Sequence, residues 1–304
     1  MVFEDVYFQP HAPDPVLDEN VVVAVARRHA HKAGKLLWID ESGGEARVYF
    51  LAGDVVVKTQ RPHRLRTRTS LAKEALFLEE LDRQVDLPVP RVLGHGVVEG
   101  TEYLCLTRIE GTAIERAGLT PEARRPALRE VGRTLRVIHA IDQSVLAGSE
   151  LVPGDRSSHD LWTRISRAFA RLGTALDHDP RFMDVVDVPK LAAERLDLTP
   201  EDVDPVTVHS NPRVNSLVDS ESGAFTGLID FGDSYRSHPA FDFRPWPLGR
   251  DAEAVLEGYQ SVGPLPPGFE DVWRTVLVIE ELGDAARGSR SPAELEVSLD
   301  RLLA

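Results

Sequence analysis

The residues that can do chemistry stand in an order that suits the handling of a polyphosphate. Lys58 closes the apolar run "VVVK", and a cation there can pair with phosphate oxygens or simply snorkel to solvent. Glu74 follows in "SLAKEALFLEELDRQ", either holding that lysine in place or adding to a charged helix face. "GLIDFGDS" (227–234) sets Asp230 at a strand end before Phe-Gly, where a carboxylate can bind Mg²⁺ and share it with phosphates. Asp233 is a second acid at the same place, or a turn residue. Between them, "VTVHSNPRVNSLVD" (206–219) runs from a strand through His209, a tight loop and Asn215 into another strand.

Two weaker features complete the set. "SGG" at 42–44 brings Gly43 and Gly44 before a strand, as a cradle of backbone N–H groups for phosphates or as a plain turn. "TRIEG" at 107–111 brings Thr107 and Ile109 after an apolar strand, as a connection between lobes that meets an adenine ring or as an ordinary loop. The sequential order of strand lysine, helix glutamate, connection, His-to-Asn loop and Asp-Phe-Gly gives these motifs weight that none has alone.

The elements that must position them follow from periodicity and punctuation. Residues 16–33 read as a helix stopped by Gly34, followed by strands at 35–40, 46–52 and 54–60. A helix over 70–84 carries Leu71, Ala75, Leu78 and Leu81 on one face. Two more strands join at Glu99–Gly100. From about residue 120 helices dominate, at 126–141, 159–176, 251–260, 269–286 and 292–304, interrupted by a β-pair from "SLVD" to "FTGLIDF". The expected architecture is α+β and two-lobed: a small antiparallel β lobe over 1–109, then a larger helical lobe over 110–304.

On these motifs the chain resembles the aminoglycoside phosphotransferase/choline kinase family of small-molecule kinases, which share the protein-kinase-like fold. The resemblance spans roughly residues 35–285 and includes "LPVPRVLG" (87–94), "YLCLTRIEGTAI" (103–114), "LREVGRTLRVIHAID" (128–142) and "LIDFGDSYRSHPAFDF" (228–243). It implies that Lys58 is the phosphate lysine, Glu74 its partner, Asp230 the principal Mg²⁺ ligand and Asp242 a structural tie for the catalytic loop. The implied activity is ATP- and Mg²⁺-dependent transfer of a phosphoryl group to a hydroxyl of a small molecule, aminoglycoside-like or an amino-alcohol. The implied alternative is a non-catalytic protein of the same fold that binds a nucleotide or small ligand.

The departures lie in the His loop. The family pattern is His-x-Asp, four residues, then Asn. Aligned on His209, Asn211 takes the place of the catalytic Asp and Ser216 that of the metal-binding Asn; aligned on Asn215, Ser210 takes the base position. Neither supplies a carboxylate, and an amide cannot accept the hydroxyl proton, help worth ~10²–10⁴-fold in rate. Phosphoryl transfer relies mainly on positioning and electrostatics, so the expectation is a slow enzyme, with Asp233 or His209 as other proton acceptors. In the family the His is mainly scaffold. His238 also stands where the family has an Asp before the Pro.

Composition bounds the partners. With 35 basic and 49 acidic residues the net charge is −14, which disfavours nucleic acid and anionic membrane surfaces and is compatible with a cationic acceptor. Cys105 is the one cysteine, so neither an intrachain disulfide nor a Cys-based metal cluster is expected. The N-terminus has no secretion-signal pattern and "VVVAVA" (21–26) is too short to span a bilayer, so a cytoplasmic location is expected. There is no G-x-S-x-G elbow and no H-E-x-x-H helix, and His29 and His31 read as surface residues. Acceptor recognition is expected around 157–180 and 240–290, with Asp155, Asp160 and Glu280 as candidate acids.

Overall fold

The computed structural model describes residues 11–64, 70–183 and 185–304; the stretch read for a secretion signal lies outside it over 1–10. The first helix, α1 (Glu19–His29), starts where the Asp18 carboxylate accepts the Asn20 amide. It ends sooner than its apolar pattern suggests, because Ala30 is extended. Gly34 is not its stop. Its amide donates to the Ala52 carbonyl at 2.8 Å, and a Cβ there would lie 2.9 Å from that of Ala52, so the glycine admits the chain to the sheet.

The sheet is built from β1 (Leu36–Asp40), β2 (Ala46–Leu51), β3 (Val55–Gln60), β4 (Val92–Val98) and β5 (Thr101–Thr107), all antiparallel in the order β1-β2-β3-β5-β4. α2 (Leu71–Gln84) lies between β3 and β4 in sequence, with Ser70 capping it through the Lys73 amide. Side chains alternate across a strand, and this alternation separates two tasks. Tyr49, Leu51, Val55 and Val57 pack with Val22, Val25 and Ala26 of α1 on one face. Val48, Val56 and Lys58 are left for the other face, which borders a cleft.

After β5 the chain crosses to the second lobe. There β6 (Thr112–Ala113) pairs with β8 (Ser216–Val218), which pairs with β9 (Phe225–Leu228), and β7 (Val206–Val208) pairs with β10 (Tyr235–Ser237). The helices are α3 (Pro121–Ala140), α4 (Ser144–Gly148), α5 (Ser158–Asp177), α6 (Val188–Asp197), α7 (Pro212–Asn215), α8 (Arg250–Gln260), α9 (Phe269–Ala286) and α10 (Pro292–Leu303). α3 begins five residues before the expected Pro126, because Thr120 caps it and Pro121 takes the first turn, leaving Pro126 inside. α6 was not expected at all, although Asp187 caps it and Pro189 sits in its first turn.

α3 and α8 meet backbone to backbone. A Cβ on Gly132 would lie 1.9 Å from the Val255 carbonyl oxygen, and one on Gly258 1.9 Å from that of Arg129. Beneath them Phe243 packs edge-on to Tyr259, Phe269 and Trp273, whose indole N–H donates to the Phe243 carbonyl at 3.0 Å. This aromatic block anchors the turn at Pro239–Phe243, and so fixes Asp242. Among the described residues no helix is long and apolar enough to cross a membrane.

Candidate active site

A cleft of about 520 Å³ opens between the five-stranded sheet and the second lobe. Gly43, Gly44, Lys58, Glu74, Thr107, Ile109, Asn211, Asn215, Asp230 and Asp233 all line it. Val48, Val56 and Leu106 form its upper apolar wall, with Leu217 and Ile229 opposite, a slot suited to a flat ring. Residues from six separate stretches of sequence are thus brought to one cavity.

At its inner end Lys58 Nζ donates to Glu74 Oε2 at 2.6 Å and to Asp230 Oδ1 at 2.7 Å. Glu74 is 1% exposed, because it shares the buried face of α2 with Phe77, Leu78 and Leu81; the solvated-face reading does not hold. Its other oxygen accepts the Phe231 amide at 3.3 Å. Burial alone would lower the Lys58 pKa, but Asp230 and then Glu74 outweigh it and the ammonium is held charged. Burial, with Asp230 nearby, pushes the Glu74 pKa up, opposed mainly by Lys58. Glu74 accepts the ammonium on one oxygen and a backbone amide on the other, as a carboxylate does, so we regard it as ionised, with its upward push due first to burial and then to the neighbouring Asp230.

Asp230 lies two residues beyond the end of β9, with φ +68°, so the turn and not the strand aims its side chain, which is 52% exposed. Phe231 behind it is buried between Phe77 of α2 and His209, with ring centroids 5.3 and 4.6 Å away. The aspartate therefore projects from a backbone locked on both sides.

The His loop is anchored from below. Asp242 Oδ2 accepts the His209 amide at 2.8 Å and Oδ1 the Ser210 amide at 2.6 Å, while His139 bonds Oδ2 at 2.9 Å. His209, expected as a candidate proton acceptor, is not brought into the cleft. Its Nε2 donates to the Ile229 carbonyl at 2.9 Å and its Nδ1 accepts the Asn211 amide at 3.3 Å, so neither nitrogen is free. Burial depresses its pKa, in keeping with a neutral ring. Ser216 is also withdrawn: it is fully buried and its hydroxyl donates to the Pro212 carbonyl. Asn215 faces the cleft instead, with Nδ2 donating to the Asn211 carbonyl at 3.0 Å. α7 spans the residues between them, and Asn211 and Asn215 both reach the cavity.

Other expectations fare differently. Asp155 is buried on Arg164 and Ser237, and Asp160, in the first turn of α5, accepts the Arg156 amide and the hydroxyl of the cap Ser157, so both are engaged within the fold. His29 is half-buried against Tyr103, at 3.0 Å, and is no surface residue. Arg108 was missed although it lies within "TRIEG": it lines the cleft and stacks over Trp38 at 4.8 Å, while its amide donates to the Asp54 carbonyl.

A family profile described as "Phosphotransferase enzyme family" matches residues 39–258. Several solved structures share the fold. The macrolide 2'-phosphotransferase type I superposes with a TM-score of 0.59 at 18% identity over 96% of this chain and 99% of that one. The ADP-bound aminoglycoside phosphotransferase APH(2'')-Ib does so with 0.59 at 17% over 94% and 97%. The streptomycin–ATP ternary complex of APH(2")-IIa gives 0.55 at 16% over 95% and 97%. At these identities the likeness is one of fold. No curated protein sequence matches the chain. With the profile match covering well over half its length, the chain belongs to the phosphotransferase enzyme family.

Proposed function

We propose that the protein is an ATP- and Mg²⁺-dependent phosphotransferase that acts on a hydroxyl of a small molecule, with residues 1–109 as nucleotide lobe and 110–304 as catalytic and acceptor lobe. The observation that carries this reading is Lys58, fixed between Glu74 and Asp230 at the inner end of an apolar-walled cleft. Lys58 presents a fixed charge to the α/β-phosphates, and Glu74 keeps it from swinging away. Gly43 and Gly44 bring backbone N–H groups over the phosphate end, and Thr107 and Ile109 border the base. The ATP complex of a fold relative supports the choice of nucleotide.

The donor set suits Mg²⁺. Asp230 supplies a half-exposed carboxylate and Asn215 an amide oxygen, both hard ligands. Among the described residues no group of three or more acidic, His or Cys side chains could hold a metal. Two protein ligands leave the other positions of an octahedral Mg²⁺ to phosphate oxygens and water. When bound, the metal neutralises charge on the phosphates during transfer. Asn211 orients the acceptor hydroxyl, and Asp233, also in the cleft, is the carboxylate we assign to its proton. We place the activity in the cytoplasm, where ATP and Mg²⁺ are abundant, and infer a small-molecule acceptor; the net charge of −14 is compatible with a cationic one.

The test is calorimetric titration with a non-hydrolysable ATP analogue, with and without Mg²⁺, beside Asp230→Ala. Mg²⁺-dependent binding that disappears in the variant is expected; no binding under any condition would overturn the reading. Asn211 favours a second reading, a nucleotide- or ligand-binding protein without turnover, because no carboxylate stands in its place. That reading predicts binding in the same titration but no product with any hydroxyl acceptor.

A further inference from the structure

The turn between β1 and β2 reaches over the cleft with a bare inner side. Gly43 and Gly44 are exposed, and a Cβ on Gly44 would meet nothing within 4 Å. It is held from behind. Arg47 Nε donates to the Glu41 carboxylate at 2.5 Å, and Arg61 Nη1 donates to the Glu41 and Gly43 carbonyls at 3.4 and 3.5 Å. The Arg61 amide also closes on the Glu45 carbonyl at 2.9 Å.

Both arginines lie on the sheet face turned away from the cleft. Arg47 alternates with Val48, and Arg61 with Gln60, and it is Val48 and Gln60 that line the cavity. Neither guanidinium can therefore touch a nucleotide, and both act only through the turn. They are 2% and 6% exposed, and a guanidinium cannot shed its charge, so two of them side by side need a shared anion. Asp14 is that anion. Its carboxylate takes Arg61 in a two-point contact at 2.8 and 3.1 Å and Arg47 at 3.3 Å, while Arg47 also donates to the Pro15 carbonyl. The Arg61 bond, ahead of the opposing effect of burial, holds the Asp14 pKa below the usual carboxylate range.

We propose that Asp14 is a positioning residue of the nucleotide site: by clamping Arg61 and Arg47 it fixes the β1–β2 turn over the phosphate end of the cleft. The segment before α1 is thereby part of the site, although it lies on the opposite face of the sheet. Without the carboxylate, Arg61 loses the acceptor that orients its fork, its bonds to Glu41 and Gly43 lapse, and the turn loosens. The inference rests on the nucleotide reading of the cleft, and its test keeps the two apart.

Hydrogen exchange of residues 42–46, without nucleotide, should speed up at least tenfold in Asp14→Asn. The affinity for a non-hydrolysable ATP analogue with Mg²⁺ should fall five- to twentyfold. Asp14→Glu should recover most of both, and Arg61→Lys, which keeps the charge but not the fork, should reproduce the loss. Asp18→Ala is the control: it removes the cap of α1, so it should lower the melting temperature while leaving exchange at 42–46 and affinity unchanged. Wild-type exchange and affinity in Asp14→Asn, or the same losses in Asp18→Ala, would overturn the inference. If the wild-type protein binds no analogue, the nucleotide reading fails, and the exchange of 42–46 alone decides whether Asp14 holds the turn.

Discussion

Asn215 donates its side-chain amide to the backbone carbonyl of Asn211 at 3.0 Å, closing the segment after His209 into one helical turn. Both residues face the cleft although the segment is one residue short of the family spacing. On the proposed reading, position 211 keeps its place in the cleft and an amide stands there instead of an acid. Asn211→Asp should raise ATP-dependent phosphorylation of a hydroxyl acceptor by ~10²-fold or more, the range for general-base help. Turnover that stays at background in the substituted protein would count against the phosphotransferase reading and for a binding protein.

Lys58 and Glu74 form a buried pair, with side-chain exposures of 10% and 1%. Removing one member strands the other. Lys58→Met should destabilise the fold by roughly 3–5 kcal/mol, the usual penalty for breaking such a pair. Adding Glu74→Gln should restore part of that loss, because the stranded charge is gone. Denaturant melts of the single and double variants decide the point; a double variant no more stable than Lys58→Met would mean that packing, not charge, is what Lys58 contributes.

Ser210 has φ +81° and is buried, a conformation natural to glycine. Two bonds lock it there: its amide to Asp242 and its carbonyl to Arg244, at 2.6 and 3.2 Å. At an ordinary site glycine is less stable than alanine by about 0.5–1 kcal/mol. At 210 the order should invert, with Ser210→Gly more stable than Ser210→Ala by about 1 kcal/mol. Equal melting midpoints for the two would show that the strain is absorbed elsewhere.

What the sequence discloses, and what it hides, divides along the range of the interactions. The β-meander and the face of α2 follow from local alternation and periodicity, and the Asp-Phe-Gly segment from a contiguous motif. The start of α3 was misplaced because Pro126 looks like a first-turn proline, while the cap that decides the boundary is Thr120. Whether Asn215 or Ser216 faces the cleft was undecidable, since both alignments are self-consistent until α7 forms and buries the Ser216 hydroxyl on Pro212. Asp14 was invisible: it meets Arg47 and Arg61 across more than thirty residues, and nothing local marks it. The withdrawal of His209 depends likewise on Ile229, twenty residues on.

The same pattern of buried histidines sets a pH dependence. His238 is fully buried, its Nε2 donating to the Pro267 carbonyl and its Nδ1 accepting the Ala240 amide, and burial pushes its pKa down from 6.5 to about 4. Between those values the unfolded chain binds a proton that the native ring refuses. Stability is therefore complete above pH 6.5 and is lost progressively as the pH falls toward 4, by about 3 kcal/mol for this group. His209, shifted in the same direction by burial, adds to the slope. Denaturant melts between pH 7 and pH 4.5 should show wild-type stability falling more steeply than that of His238→Asn, which carries no titrating ring. Parallel slopes would mean that the native state accommodates a charged His238, and that the contact with Pro267 is not the constraint inferred from its burial.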